Sequence, residues 1–302
     1  MDLTMRPFAG FADLAAVADL IHASSSTSRH RVDYPWRLSS PAGQSGRDVQ
    51  LWVAPDGALI GFAAWYMWWA TLDFYLRPSP AHLQVEEAIF AWAARHFHEL
   101  DIERGRPLPY WAEARADDHE RLALLARHGY ILDEDYGYVM LGRPLAEPIP
   151  TASPPNGFVI RSLAGEQEVE AYVTLHRRAF KSAAMTADWR ERTLRMRAYE
   201  PDLDLVAVAP NGRLAGFCVG WADTTARVAQ IEPIGIDPDF QRQGLGRALL
   251  NEMLRRFRER GAEQALVETE TSRSPARRTY EAAGFRTRYT SVRKGQWFSE
   301  RD

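Results

Sequence analysis

Residues 231–250 of the 302-residue chain read IEPIGIDPDFQRQGLGRALL: an apolar strand, a short turn, then QRQGLG where a helix begins. Gly244 and Gly246 carry no β-carbon, so the backbone N–H groups of the turn stay open to an anion, and the helix N-terminus that follows adds partial positive charge. A diphosphate suits such a loop. Two rival phosphate-binding patterns do not fit. A P-loop ends in Gly-Lys-Ser/Thr, and a dinucleotide fingerprint has a third glycine after a parallel first strand; this stretch has neither.

Gln241, Gly244 and Gly246 fall on the three fixed positions of a Q/R-x-x-G-x-G/A signature, and the loop resembles that of the GNAT acetyltransferase superfamily. The IGIDP strand (residues 234–238) and the later ARRTYEAAGF helix (residues 276–285) are also similar to that family's elements. The resemblance covers most of both halves of the chain. It implies acetyl-CoA as cosubstrate, its pyrophosphate on the backbone of Gln241, Arg242, Gln243, Gly244, Leu245, Gly246, Arg247 and Ala248, and transfer of the acetyl group to an amine in a direct ternary complex.

Acyl transfer to an amine needs a neutral nucleophile, a stabilised oxyanion and a proton for the departing thiolate. Glu232, twelve residues before Gly244, stands where the family often places the carboxylate that deprotonates the ammonium, directly or through water. Pro233 has no N–H for a sheet ladder, so it marks a bulge or an open edge, which matches the splay that receives the pantetheine arm in this family. Backbone N–H groups of Ile234, Gly235 and Ile236 are the family's oxyanion donors. Tyr280, four residues before Gly284, matches the tyrosine that reaches the CoA sulfur and protonates the thiolate. Without those roles, Glu232 is a strand carboxylate facing solvent and Tyr280 a helix-packing residue. The chain departs from the pattern at Arg273, where many relatives have asparagine, and at Thr279, where leucine is usual; Arg273 or Ser274 then substitutes at the pantetheine end.

These residues need a scaffold, and the sequence supplies one twice. Arg6 and Arg161, Gly57 and Gly212, and Gly129 and Gly284 are each 155 residues apart. The hairpins APDGALIGF and APNGRLAGF share that offset, and their Asp-Gly and Asn-Gly pairs suggest two-residue turns with positive φ at both centres. WAEA (residues 111–114) matches VETE (residues 267–270) in the same order. The expected architecture is α+β, with two tandem GNAT-like domains, each a mostly antiparallel mixed sheet with helices on both faces. Residues 1–143 form a degenerate copy, PLAEPIPTASPPNG (144–157) a proline-rich linker, and 158–302 the acetyl-CoA-binding domain. In the first copy Gln84 and Glu86 align with Gly244 and Gly246; two β-carbons and a carboxylate then repel a diphosphate, and Leu125 takes the place of Tyr280.

Composition narrows the remaining classes. A single cysteine, Cys218, excludes an internal disulfide framework and suits a reducing compartment, with the cytoplasm as default. Seven of eight histidines lie in the first half, and His96 and His98 diverge on a helix as surface residues, so no metal is expected. The halves carry about −7 and +4 charges, without the dense basic stripe of a nucleic-acid binder. MDLTMRPFAG lacks a signal-peptide pattern, and the apolar stretch 59–72 is too short to span a membrane. The acceptor is a small-molecule or peptide amine. A non-catalytic acyl-CoA sensor and an enzyme acting on the sugar precursor of a cellular thiol are alternatives, and monomer or homodimer stays open.

Overall fold

The computed structural model describes residues 3–24, 30–151, 153–155 and 157–297. In chain order the elements are β1 (Thr4–Pro7), α1 (Leu14–Ala23), α2 (Tyr34–Ser39), β2 (Val49–Val53), β3 (Leu59–Tyr66), β4 (Thr71–Leu76), α3 (His82–Arg104), β5 (Pro109–Arg115), α4 (His119–Arg127), β6 (Ile131–Pro144), β7 (Val159–Ser162), α5 (Val169–Phe180), α6 (Ala187–Arg195), β8 (Asp204–Val208), β9 (Leu214–Asp223), β10 (Val228–Ile236), α7 (Leu245–Glu259), β11 (Gln264–Glu270), α8 (Ser274–Ala282) and β12 (Arg286–Trp297).

Two compact units emerge. One takes Met1–Arg31, Ser40–Gly137 and Tyr289–Asp302; the other takes Val32–Ser39 and Tyr138–Arg288. Strand order is β1-β2-β3-β4-β5-β12 in the first unit and β7-β8-β9-β10-β11-β6 in the second, with one parallel pair in each, β4 with β5 and β10 with β11. The duplicated α+β architecture is therefore present, but each sheet takes its sixth strand from the opposite half of the sequence. Residues 291–297 of β12 complete the edge of β5, and residues 138–144 of β6 complete the edge of β11. A division into 1–143, 144–157 and 158–302 follows the chain rather than these units. The proline-rich segment is also tied down: Arg143 donates to the Glu147 and Pro148 carbonyls at 3.3 and 2.6 Å, and Asn251 of α7 donates to the Pro150 carbonyl at 2.8 Å.

The 155-residue repeat has a mechanical meaning at each anchor. Arg6 forks onto the Asp13 carboxylate at 2.7 and 2.7 Å, and that carboxylate accepts from the Ala9 N–H at 2.7 Å. Arg161, Glu168 and Ala164 repeat this clamp at 2.8, 2.5 and 2.7 Å. Bidentate, charge-assisted bonds of this kind fix the path from the first strand into the first helix. The hairpins also agree with one another and differ from the two-residue expectation. In each, the alanine N–H bonds across three residues (Ala54 to Ala58, Ala209 to Arg213, both 2.9 Å), and only the glycine is left-handed, Gly57 at φ +87° and Gly212 at +82°. The Asp56 and Asn211 side chains instead accept from the N–H two residues on, at 3.0 and 3.2 Å, which relieves them of positive φ.

Helices cover both faces of each sheet. In the second unit Leu249, Leu250, Met253, Leu254 and Phe257 of α7 are fully buried, each worth about 1.5–3 kcal/mol of transfer free energy. Gly216 and Gly220 of β9 allow this approach, since a β-carbon at Gly220 would lie 2.5 Å from the Phe257 ring. α5 takes the other face, its Ala179 lying 3.0 Å from the point where Gly235 would carry a β-carbon. The first unit is filled by aromatics: Trp65 packs edge-on to Phe97 at 4.9 Å and lies 5.3 Å from Tyr110. His96 corrects the surface expectation. It is 2% exposed, stacks on Trp92 and sets its Nε2 2.9 Å from the Asp48 carboxylate, because the α3 face that carries it turns inward; His98 is exposed.

Gly295 of β12 lies across from Trp111 of β5, and a β-carbon there would meet the indole at 2.3 Å. Gly295→Val should therefore lower stability by about 1–3 kcal/mol in urea unfolding, although the two residues are far apart in the chain.

Candidate active site

β10 begins in register with both neighbours and then leaves one of them. Val228–Ile231 pair in parallel with Gln264–Val267 of β11, and that pairing stops at Ile231. The antiparallel pairing with β9 resumes only at Ile234, opposite Cys218, so Glu232 and Pro233 form a bulge. Its effect shows in the packing: Ile231 and Ile234, three residues apart, both meet the α7 side of the core, which a regular strand forbids. Beyond the bulge β10 keeps β9 and parts from β11, opening the edge that Pro233 suggested. The Trp221 indole N–H braces the kink by donating to the Glu232 carbonyl at 2.7 Å.

At the far end of β10 the chain turns into α7. Asp237, buried, caps a short 3-10 turn by accepting from the Asp239 N–H at 2.9 Å. Arg178 of α5 grips its carboxylate at 2.7 and 3.0 Å, which holds Asp237 below the usual carboxylate range. The Gln241 amide donates back to the Ile236 carbonyl at 3.2 Å, so this side chain braces the loop while its backbone stays at the surface. Arg242 and Gly244 both take left-handed backbone, at φ +62° and +89°, and Gly244 caps α7. For arginine that conformation costs about 1–2 kcal/mol. The N–H groups of Leu245, Gly246 and Arg247 have no carbonyl four residues back within the helix. A β-carbon on Gly244 would meet nothing within 4 Å, and one on Gly246 only Ile236 at 3.8 Å. The glycines therefore leave open space. Leu245 and Ala248 anchor the helix in the core, and Arg242, Gln243 and Arg247 are exposed around the open face.

Glu232 is half-buried, and its carboxyl is pushed up to about 8, first by burial and then by the nearby Asp33 charge, with Glu268 adding and Arg37 and Arg273 opposing. Tyr280 is 7% exposed, its place on α8 fixed by the turn at Gly284, where the Phe285 N–H bonds the Tyr280 carbonyl at 3.1 Å. Burial, then the Glu232 and Cys218 charges, hold the phenol above its ordinary range, with Arg273 opposing. Arg273 caps α8 in position while its guanidinium pairs with Glu270 at 2.9 Å. Ser274 begins α8, and its side chain lies outside the described residues. Asp33 and Arg37 were not anticipated as part of these surroundings; the Asp-Tyr-Pro start of α2 is the signal that could have shown a helix in that loop.

The first unit is built differently at the corresponding point. α3 starts at His82 after Ala81, whose φ of −88° is ordinary, and no left-handed glycine precedes it. Glu86 does not project from the helix start, which corrects the expected repulsion. It is 2% exposed in the second turn and pairs with Arg127 at 2.7 Å and His128 at 3.3 Å, so its charge is spent on α4. Gln84 is exposed, and Leu125 is fully buried where Tyr280 stands in the other unit.

A two-unit fold with a glycine-opened helix start beside a parted strand defines the class as CoA-dependent acyltransferase, and comparison agrees. The acetyltransferase (GNAT) family model matches residues 169–285. A mycothiol acetyltransferase of Thermomonospora curvata is 30% identical over 259 residues, covering 82% of this chain and 81% of its own, and one of Geodermatophilus obscurus is 29% identical over 300 residues, covering 91% of each. Among solved structures, a tandem GNAT protein of the clavulanic acid biosynthesis pathway superposes with a TM-score of 0.67 over all of both chains at 15% identity. A GCN5-related N-acetyltransferase from Sphaerobacter thermophilus gives 0.65 over 98% of this chain and 95% of its own at 22% identity. The chain belongs to the GNAT acetyltransferase family and is an acetyl-CoA-dependent N-acetyltransferase. No helix among the described residues is long and apolar enough to cross a membrane.

The two loop glycines should separate in a stability assay. Gly244→Ala should cost about 1–2 kcal/mol, since alanine strains at φ +89°, whereas Gly246→Ala should gain about 0.4–1 kcal/mol in a helical position with room for a methyl.

Proposed function

We propose that the unit containing Tyr138–Arg288 binds acetyl-CoA and transfers its acetyl group directly to a primary amine in a ternary complex, and that the other unit binds none. The observation that carries this reading is the parted edge of β10: the glycine-opened start of α7 lies at the end of the strand, and Glu232 and Tyr280 share one electrostatic environment at its bulge. The pyrophosphate would rest on the backbone of Gln241–Ala248, with Arg242 and Arg247 adding positive charge, and the pantetheine arm would enter where β10 leaves β11. Arg273 and Ser274, at the start of α8, would meet its far end.

The chemistry follows from the two displaced proton affinities. Glu232 takes a proton from the acceptor ammonium, which an ordinary carboxylate near 4.5 does poorly and one near 8 does well. The amine lone pair attacks the thioester carbonyl, and N–H groups of Ile234, Gly235 and Ile236 stabilise the oxyanion. As the C–S bond breaks, Tyr280, kept protonated by its buried surroundings, gives its proton to the departing thiolate, and the proton lost by the new amide nitrogen restores the phenol. The names of the relatives make the amine precursor of mycothiol the first acceptor to try.

Thiol release from acetyl-CoA with that acceptor and an amine panel tests the proposal. kcat/KM should rise with pH through a midpoint near 8, because the base works only when ionised. Glu232→Gln should remove that limb and lower kcat by about 10²–10⁴-fold, and Tyr280→Phe should lower kcat by a similar order, both with acetyl-CoA affinity retained. Unchanged turnover in both variants would sink the assignment, and binding without turnover of any amine would make the protein an acyl-CoA sensor. Stability gives a further check. The Glu232 carboxyl is raised in the fold above its unfolded value of 4.5, so the folded form binds more protons and loses stability as pH rises from about 4.5 to 8. Glu232→Gln should therefore be more stable than the parent at pH 9 in thermal unfolding.

A further inference from the structure

The first unit also contains a parted strand pair. β4 and β5 run parallel, and their register covers Thr71 with Trp111 and Leu72 with Ala112. Past this point each strand keeps its outer neighbour. β4 stays with β3 as far as Leu76, opposite Gly61, and β5 stays with β12 as far as Arg115, opposite Ser291. The inner edges of 73–76 and 113–115 thus part, as those of β10 and β11 do in the second unit after Ile231 and Val267.

An arginine bridges the gap in the first unit. Arg121 of α4 donates from Nε to the Glu113 carbonyl of β5 at 2.9 Å and from Nη1 to the Phe74 carbonyl of β4 at 3.1 Å. Its guanidinium also lies 3.9 Å from the centre of the Phe74 ring. Glu113 and Phe74 are both buried, and a buried carbonyl costs free energy without a donor. Two N–H groups of one planar fork therefore act where the N–H groups of an adjacent strand would. The backbone of Arg121 is fixed as well, since its N–H donates to the Asp118 carboxylate that caps α4, at 3.0 Å.

α4 and α8 correspond residue for residue. Their cap residues, Asp118 and Arg273, and the left-handed glycines beyond them, Gly129 and Gly284, share the offset of 155, which sets Arg121 against Ala276. Each is the third residue of its helix. Ala276 is half-buried against the core, and a methyl group can donate to neither strand. The nearest arginines are engaged along α8 or at its cap: Arg277 bonds Glu281 at 2.8 Å, and Arg273 pairs with Glu270 at 2.9 Å. One gap thus carries its own hydrogen-bond donors, whereas the corresponding residue at the other supplies none.

We propose that this position is a gate for the cofactor arm: Arg121 is a built-in occupant that shuts the first unit, and Ala276 keeps the gap between β10 and β11 open to an extended, amide-bearing chain. The gate rests on acetyl-CoA binding by the second unit, and it makes Ala276 a specificity-determining residue there. An arm with amide groups can replace the guanidinium, because each amide N–H is a donor of the same kind set along an extended chain. The ordinary start of α3 denies the first unit a phosphate site, while Arg121 denies it the arm; a single substitution lifts the second obstacle and not the first.

Calorimetry of the full chain with acetyl-CoA tests the second gap. Ala276→Arg should lower the affinity by about a hundredfold or more; an added cation by itself would strengthen binding of this anion, so the loss reports occlusion. Equilibrium dialysis with labelled pantetheine, which lacks the diphosphate, tests the first gap: Arg121→Ala should take up one more pantetheine per chain than the parent. Acetyl-CoA binding by Ala276→Arg equal to that of the parent, or equal pantetheine uptake by Arg121→Ala and the parent, would overturn the gate. The two arms use different variants, so one that fails to fold leaves the other to decide. A parent that binds no acetyl-CoA would count against the function proposed above, and the pantetheine comparison would still judge Arg121.

Discussion

Pro233 has no N–H to give a neighbouring strand, and with Glu232 it forms the irregularity at which β10 leaves β11. Past this point β10 can satisfy only one side. It stays with β9, so the side toward β11 is left with strand hydrogen-bonding groups and no strand to take them. An extended, amide-bearing ligand could fill that gap as a surrogate strand. The same irregularity turns the side-chain alternation by one residue, keeping Ile234 and Ile236 against α7 and Gly235 under α5. Without the shift the strand would present the wrong face to each helix, and the loop into α7 would start from a different place.

Comparison of the two units separates what the fold needs from what chemistry needs. The arginine–carboxylate clamp, the hairpin with its left-handed glycine and the glycine turn after the last helix occur in both, with nearly equal distances. All three guide the chain locally. Among the described residues, the left-handed pair Arg242 and Gly244, the bulge at Glu232–Pro233 and the phenol of Tyr280 belong to the second. In the first unit the corresponding helix begins without strain, and the buried Glu86 pairs with the exposed Arg127. Where the second unit holds left-handed backbone at the start of its helix, the first has an ordinary helix start, which is the arrangement stability alone favours.

Much of this was legible in the residues. The spacing of Gln241, Gly244 and Gly246, the proline after Glu232 and the constant offset between Gly57 and Gly212 each reflect a local backbone demand, and local demands are written locally. The exchange of β6 and β12 was not legible, because their pairing partners β11 and β5 lie more than a hundred residues away in the chain and leave no local signal. Nor was the inward turn of Glu86 and His96, which depends on partners distant in sequence such as Arg127 and Asp48. The contribution of Asp33 escaped for the same reason: Asp-Tyr-Pro could have marked a short helix, but its packing partner, Trp189, lies 150 residues after Ser39.

The exchange of sixth strands also imposes an order on synthesis. Residues 291–297, which close the sheet begun by β1, follow every strand of the second unit in the chain, so the unit that starts first closes after the other. Until then β5 offers a bare edge that β6 could occupy instead, since β6 follows α4 as β12 follows α8. β11, which pairs with β6, follows it by more than a hundred residues, so β6 waits for its partner much as β5 waits for β12.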